Sequence, residues 1–184
     1  CSGIGGSIKN LGMGAVSKKT KSDIHSFANA ILVGDCINCN SCVTACPVGA
    51  ISKGPEHITI NQKACWGCGA CINVCPQNAL KPKIASFNTL LSEGALAVIK
   101  SVKKIYYINT LTKIAKYCDC MAENGPIVSE DLGYLASSNI IEIDRESIDL
   151  INEKAGKNIF LEIHKINPYV HVKEMERLVK DLNN

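Results

Sequence analysis

Cysteine is the residue type that points most directly to chemistry in this sequence of 184 residues, which contains 11 of them. Eight cysteines form two runs, and every position of the first run recurs 29 residues later. The two runs are Cys36, Cys39, Cys42, Cys46 and Cys65, Cys68, Cys71, Cys75, followed directly by Pro47 and Pro76. Thiolates are soft ligands that hold zinc, copper(I) or iron–sulfur clusters. The repeat therefore predicts a metal-binding module.

The spacing within each run separates these metals. Two residues lie between successive members of the first three cysteines, and three residues precede the fourth cysteine and its proline. This is the run of bacterial ferredoxins, in which the fourth cysteine of one run binds the cluster of the other. We therefore expect two 4Fe-4S clusters with exchanged ligands. The expected ligands are Cys36, Cys39, Cys42 and Cys75 for the first cluster, and Cys65, Cys68, Cys71 and Cys46 for the second.

Two other interpretations of the cysteines fit less well. Structural zinc sites pair Cys-x2-Cys knuckles across a longer spacer, which these runs do not do. Disulfide scaffolds of secreted proteins are usually short and space their cysteines irregularly, whereas this chain has 46% apolar residues and a regular repeat. Clusters of this type also need a reducing setting, so the sequence predicts a cytoplasmic protein.

Net charge and hydropathy exclude other classes of partner. The formal charge is +3, but eight thiolates and two oxidised cluster cores would move it to about −1. Lysines and arginines are scattered, so no stripe for nucleic acid is predicted. The longest apolar run, Ala95 to Ile99, is far too short to span a bilayer.

The segments around the runs must position the clusters or form a second domain. A strand is predicted at 58–60, and a helix where apolar residues recur at helical spacing from Phe87 to Val102. Further along, the patterns predict a strand at 105–108, a helix capped by Asp144 and ended by Gly156, and a strand at 159–163. A last helix is predicted to begin at Asn167-Pro168, with Val172, Met175, Val179 and Leu182 facing inward. Alternating strands and helices indicate an α/β layer domain.

The flanking motifs also carry a resemblance to a family. The segment 9–14, Lys-Asn-Leu-Gly-Met-Gly, the double run, and Cys118-Asp119-Cys120 together resemble a family of iron–sulfur centre proteins of unassigned function. The resemblance implies a ferredoxin-like two-cluster 4Fe-4S module inserted in, or joined to, a partial α/β layer domain. The implied divisions are 1–33 and 82–184 for the α/β parts and 34–81 for the module. Members of the family have a further N-terminal half, so the sequence, which opens on Cys1, is expected to be a piece of a longer protein.

A second candidate site lies outside the runs. Cys118, Asp119 and Cys120 place two thiols around a carboxylate, which could bind a metal or form a redox pair, with Asp131 and Asp144 completing the site. The alternative is that these cysteines are half-buried in a loop as small apolar groups. The glycines at 3, 5, 6, 12 and 14, beside Lys9 and Asn10, invite a nucleotide or flavin site, but no complete Gly-x-Gly-x-x-Gly follows a strand. The four histidines show no ligand spacing and are assigned to the surface or to a satisfied core.

Three functions remain open at this point. The first is single-electron transfer between redox partner proteins, with the chain acting as an electron carrier or subunit more than as a stand-alone enzyme. The second is an oxidoreductase that does its chemistry near Cys118, Asp119 and Cys120 with electrons from the clusters. The third is a non-redox interaction module that the clusters only stabilise.

Overall fold

A computed structural model describes residues 4–118 and 123–182 of the chain. These residues form two compact units. The first unit is Ser17–Leu90, and the second combines the described residues before Ser17 with those from Leu91 onward. The second unit is therefore built from two stretches that flank the first unit in the sequence.

The secondary structure is short in the first unit and longer in the second. The helices are α1 Ser7–Lys9, α2 Lys18–Phe27, α3 Ser41–Ala45, α4 Ala70–Asn73, α5 Phe87–Ser101, α6 Ile140–Ala155, α7 Ile159–His164 and α8 Val170–Leu182, and α1 continues as a π-helical turn, Asn10–Gly14. The strands are β1 Ala30–Leu32, β2 Ile51–Lys53, β3 Ile58–Ile60, β4 Leu80–Pro82, β5 Tyr107–Leu111 and β6 Gly133–Ser137. Within the described residues, no helix is both long and apolar enough to cross a membrane.

The first unit repeats its structure with the same 29-residue offset as its cysteines. Strand β1 pairs antiparallel with β4, and β2 pairs antiparallel with β3, with Leu32 opposite Leu80 and Ile51 opposite Ile60. Helices α3 and α4 occupy equivalent positions in the two copies and contact each other. One core cluster of this unit is formed by the buried residues Ala30, Cys42, Ile51, Ile58, Cys71 and Leu80. Two of the cysteines therefore belong to the core itself.

Backbone conformation follows the repeat as well. Three positions of each copy have a positive φ, and at each of them one copy has asparagine where the other has glycine. These two residue types adopt left-handed backbone most readily. The equivalent pairs are Asn38 with Gly67, Asn40 with Gly69, and Gly49 with Asn78, with φ between 50° and 75°. The two loops that carry the cysteines are thus held in the same shape by different residues.

The second unit packs its helices on one face of a two-stranded sheet. Strands β5 and β6 are antiparallel, with Tyr107 opposite Ser137, and β5 alternates strictly between buried and exposed residues. Helices α6 and α8 contact each other, and α6 contacts both strands. The core includes Ile8, from the start of the chain, together with Ile148 and Met175.

Most of the predicted elements are confirmed, and their ends differ. The strand at 58–60, the helix from Phe87, and Gly156 as the left-handed residue that ends α6 are all present. The strand predicted at 105–108 lies at 107–111. The last helix begins at Val170, and Leu182 is 52% exposed and does not face inward.

Two predictions in the second unit are wrong. Residues 159–163 form a helix, not a strand, because the side chain of Asn158 accepts a hydrogen bond from the Leu161 N–H and caps the first turn. Asp144 is not a cap, since α6 begins at Ile140 after Asn139, whose side chain caps it. In the described residues the second unit has a single antiparallel pair of strands, so the layered sheet of an α/β domain stays a prediction.

Candidate metal centre

One cavity of the first unit is lined by cysteines of both runs. Cys36, Cys39 and Cys42 come from the first run, and Cys75 comes from the second. The remaining lining includes the apolar side chains of Leu32, Ile58 and Leu80, on β1, β3 and β4, with Pro76 after Cys75. The strand pairing of the two copies therefore brings together thiols that are up to 39 residues apart in the sequence.

The thiols of the second expected set also influence each other. Burial, and secondarily the neighbouring thiols of Cys68, Cys65, Cys42 and Cys46, raises the pKa of Cys71 to about 11. Cys71 is therefore within electrostatic reach of three thiols of its own expected set. The thiol of Cys42, which belongs to the other set, also contributes to the raised pKa of Cys71, because α3 and α4 are in contact.

The thiols differ in how readily they ionise. Burial raises the pKa of Cys42, and the neighbouring thiols of Cys36 and Cys39 add to this. By contrast, the hydrogen bond with the Ser41 side chain lowers the pKa of Cys39, which is exposed. A buried thiol in apolar surroundings ionises when a cation compensates its charge, so binding of a positive metal core would release protons here.

Backbone N–H groups point at the sulfur atoms in both copies. The Asn38 N–H donates to Cys36 Sγ at 3.4 Å, and the equivalent Gly67 N–H donates to Cys65 Sγ at 3.5 Å. The Ala50 N–H donates to Cys46 Sγ at 3.2 Å. Hydrogen bonds of this kind stabilise the thiolate and tune the potential of a bound cluster.

Sequence reasoning did not consider Asn38, the counterpart of Gly67 in the first copy. Alignment of the two copies would have found it, because Asn38 is exactly one repeat before Gly67 and has the other residue type that tolerates a positive φ. None of the eight cysteines of the runs forms a disulfide.

The surroundings of the cysteines suit a cluster. The four thiolates of a 4Fe-4S cluster each bind a different iron atom, and burial and hydrogen bonds to sulfur tune the cluster. The buried thiols, the N–H donors and the apolar lining fit such a group.

Helix α2 covers the loop of the second run. The carbonyl of Trp66 accepts a hydrogen bond from His25 Nδ1 at 2.9 Å, and a Cβ at Gly67 would lie 2.7 Å from the Ala28 Cβ. Trp66 is 42% exposed, and Ile37, the equivalent residue of the first copy, is 59% exposed. An apolar side chain thus reaches solvent directly after the first cysteine of each run.

The second predicted site is only partly within the described residues. Asp119 and Cys120 lie outside them. Cys118 is half-buried, accepts a hydrogen bond from Lys9 Nζ, and lines a cavity of about 680 Å³ in the second unit. Asp131 and Asp144 do not line that cavity.

Asp131 and Asp144 make their hydrogen bonds elsewhere. Asp131 accepts from the Lys113 N–H. Asp144 is fully buried and accepts from the Ser7 N–H at 2.7 Å, the Ile8 N–H at 2.9 Å and Asn109 Nδ2 at 2.8 Å. This carboxylate therefore holds the start of α1 in the core of the second unit.

Two glycines near the start of the chain serve packing. A Cβ at Gly6 would lie 2.4 Å from Asp144 Oδ1, and a Cβ at Gly12 would lie 2.2 Å from the Leu91 carbonyl oxygen. Neither position accepts a larger residue without rearrangement, so packing accounts for Gly6 and Gly12.

The assignment of every histidine to the surface or a satisfied core is wrong for one of them. His171 is fully buried, and neither ring nitrogen has a hydrogen-bond partner among the described residues. Its Nε2 lies 3.6 Å from Asp144 Oδ2, outside hydrogen-bond distance.

Comparison with known proteins agrees with the geometry of the first unit. Residues 35–79 match the family described as 4Fe-4S dicluster domain. The match supports iron–sulfur chemistry and 4Fe-4S cluster binding in this part of the chain. No curated protein matches the chain.

Proposed function

We propose that the chain binds two 4Fe-4S clusters and transfers single electrons between redox partner proteins. One observation carries this proposal: three cysteines of the first run and the last cysteine of the second line one cavity. That set is the one expected when two ferredoxin runs exchange their fourth ligands.

Each cluster would have four ligands under this proposal. Cys36, Cys39, Cys42 and Cys75 would hold the first cluster, and Cys65, Cys68, Cys71 and Cys46 the second. A bound 4Fe-4S cluster supplies an iron–sulfur core that accepts or gives up one electron. The cysteine thiols ionise and bind the cluster, and the residues around them bury it. The proposed setting is the reducing cytoplasm.

The chain's own groups have separate tasks. The N–H groups of Asn38, Gly67 and Ala50 direct partial positive charge at the thiolates, which stabilises added negative charge nearby. Leu32 and Leu80 restrict water at the first set of cysteines. Exposed Ile37 and Trp66 provide apolar contact for partner proteins beside each set.

The proposal extends to the domain arrangement. The second unit is formed from stretches before and after the first unit, which supports a cluster module inserted in an α/β domain. The proposed module is 34–81, between α/β parts at 1–33 and 82–184, and the compact first unit extends beyond this module to Ser17 and Leu90.

Two double variants test the exchange of ligands with the same number of cysteines removed. In Cys36→Ala with Cys75→Ala, both losses fall on one proposed cluster, so the other should remain and about four irons should be retained. In Cys36→Ala with Cys46→Ala, each cluster loses one ligand, so both should be damaged. The measurement is anaerobic reconstitution followed by iron, sulfide and zinc analysis and by EPR of the reduced protein.

The outcomes separate the alternatives. If each run held its own cluster, Cys36→Ala with Cys46→Ala would retain about four irons, and in Cys36→Ala with Cys75→Ala both clusters would be damaged. About eight irons in the unmodified chain with a cubane EPR signal supports the proposal, and stoichiometric zinc without iron refutes it. Partner binding that is unchanged by reduction would favour an interaction module without redox function.

The second candidate function is an oxidoreductase with its chemistry near Cys118, Asp119 and Cys120. The observation that favours it is that Cys118 lines the large cavity of the second unit and contacts the ammonium group of Lys9. The paired replacement Cys118→Ala with Cys120→Ala should leave the iron content unchanged. Loss of an additional metal or of a redox activity in that variant would favour the enzyme, and an unaltered protein would favour the electron carrier.

A further inference from the structure

We propose that the large cavity of the second unit is a binding site for a small organic anion. Its volume of about 680 Å³ lies within the range of about 300–1,000 Å³ that is usual for ligand sites. All of its described lining belongs to the second unit: it comes from the segments 4–13 and 105–118, from Ile151 of α6, and from Phe160 and His164 of α7. The site is therefore separate from the cysteines of the runs.

The charge of the lining selects an anion. Lys9, Lys113 and Lys116 line the cavity, and no Asp or Glu does so among the described residues. Asp131 binds the backbone N–H of Lys113, and Asp144 is fully buried behind the wall, where three donors satisfy it. Lysine residues around one concave surface attract negative charge and raise its local concentration, and the ammonium group of one of them, Lys9, also donates to Cys118 Sγ.

The remaining lining selects an organic body for that anion. Apolar and aromatic residues form much of the wall, among them Tyr106, Tyr117 and Phe160. Tyr106 is 76% exposed, so an aromatic surface is available to a ligand. The Lys116 ammonium lies 5.1 Å from the centre of the Tyr117 ring, which places a cation next to that surface. The combination fits a ring or chain that carries an acidic group.

Recognition would come from lysine side chains and not from the start of α1. The Ser7 and Ile8 N–H groups, which an anion at a helix start would use, already donate to Asp144. His164 does not add a further cation at neutral pH, because burial lowers its pKa. Its Nε2 donates a hydrogen bond to the Lys116 carbonyl at 2.8 Å, so this nitrogen is not available to a ligand as an acceptor.

Equilibrium dialysis of the full cluster-loaded chain under anaerobic conditions tests this site. The probe is 8-anilinonaphthalene-1-sulfonate, and its neutral counterpart is N-phenyl-1-naphthylamine, which lacks the sulfonate. We expect one saturable site for the anion, with affinity at least about tenfold above that of the neutral compound and falling as salt is added. Benzoate and phenyl phosphate then compete: displacement by either supports the site and identifies a carboxylate or a phosphate ester as the preferred acid.

Matched variants connect the binding to the cavity. Lys113→Gln with Lys116→Gln should weaken the anion by about tenfold or more, and Lys113→Arg with Lys116→Arg should retain it. Lys173→Gln is the control, since Lys173 is exposed on α8 and does not line the cavity. Equal affinity for the neutral compound, no displacement by either acid, or unchanged binding in the double Gln variant would overturn the proposal. Iron content in the same samples reports the clusters independently.

Discussion

Replacement of Gly67 by alanine tests how helix α2 stabilises the second cysteine loop. Gly67 has φ +68°, and an added Cβ would lie 2.7 Å from both the Ala28 Cβ and the His25 carbonyl oxygen. Gly69→Ala is the matched control, because Gly69 has φ +75° and nothing lies within 4 Å of an added Cβ. Both variants share the cost of left-handed backbone, and only the first adds a steric overlap.

The magnitudes follow from these two costs. A left-handed alanine costs about 1–2 kcal/mol, and overpacking against a fixed neighbour adds about 1–3 kcal/mol. Gly69→Ala should therefore destabilise the loop by about 1–2 kcal/mol, and Gly67→Ala by about 2–5 kcal/mol. Since about 1.4 kcal/mol is a factor of ten in an equilibrium, the open population should be roughly tenfold or more larger in Gly67→Ala.

The assay is the anaerobic rate of iron release to an excess of chelator, which follows the population of the open loop when closing is fast. We expect release to be slow in the unmodified chain, faster in Gly69→Ala and fastest in Gly67→Ala. Equal rates in the two variants would refute the reasoning, because they would show that contact between α2 and the loop does not resist opening.

Three further predictions concern single groups. Asp144→Asn leaves the Ile8 or Ser7 N–H facing an amide donor, so the second unit should lose about 1–3 kcal/mol of stability. Urea unfolding followed by tyrosine fluorescence measures this loss, because all five tyrosines lie in that unit. A change below about 0.5 kcal/mol would contradict the prediction. Burial lowers the pKa of His164 in the folded chain below its ordinary value of 6.5, so its contribution to stability should be full above about pH 6.5 and decline as the pH falls toward the lowered value; the decline should disappear in His164→Gln. In metal-free reduced protein at about pH 8, iodoacetamide should modify Cys39 before Cys71, since the pKa of Cys39 is lowered and that of Cys71 is raised to about 11; mass spectrometry gives the order, and equal rates would contradict it.

Local rules predicted much of the first unit. The spacing of the two cysteine runs identified the metal-binding segment. Ile58-Thr59-Ile60 alternates between apolar and polar residues and is flanked by turn residues, so its strand could be identified. The pairing of β1 with β4 could not, because Ala30 and Pro82 are far apart in the sequence and neither carries a pairing signal.

In the second unit, competing local signals misled the prediction. Residues 159–163 have β-branched and aromatic residues, which favour a strand, but Asn158 is a helix cap and the core contacts of Ile159 and Phe160 favour a helix. Asp144 has the residue type of a cap, yet it is buried because it binds N–H groups 136 and 137 residues earlier in the chain. Such a contact depends on tertiary structure and leaves no local pattern.

The second unit combines two separate stretches of the chain, and this affects when its core can form during synthesis. Ile4 and Ile8 are synthesised before the first unit, but the core residues that cover them, such as Ile148 and Met175, are made more than 130 residues later. At about 5–20 residues per second, this leaves a delay of several seconds or longer. Ser17–Leu90 is complete within that interval, so its metal can be delivered before the residues that pack against Ile4 and Ile8 have been synthesised.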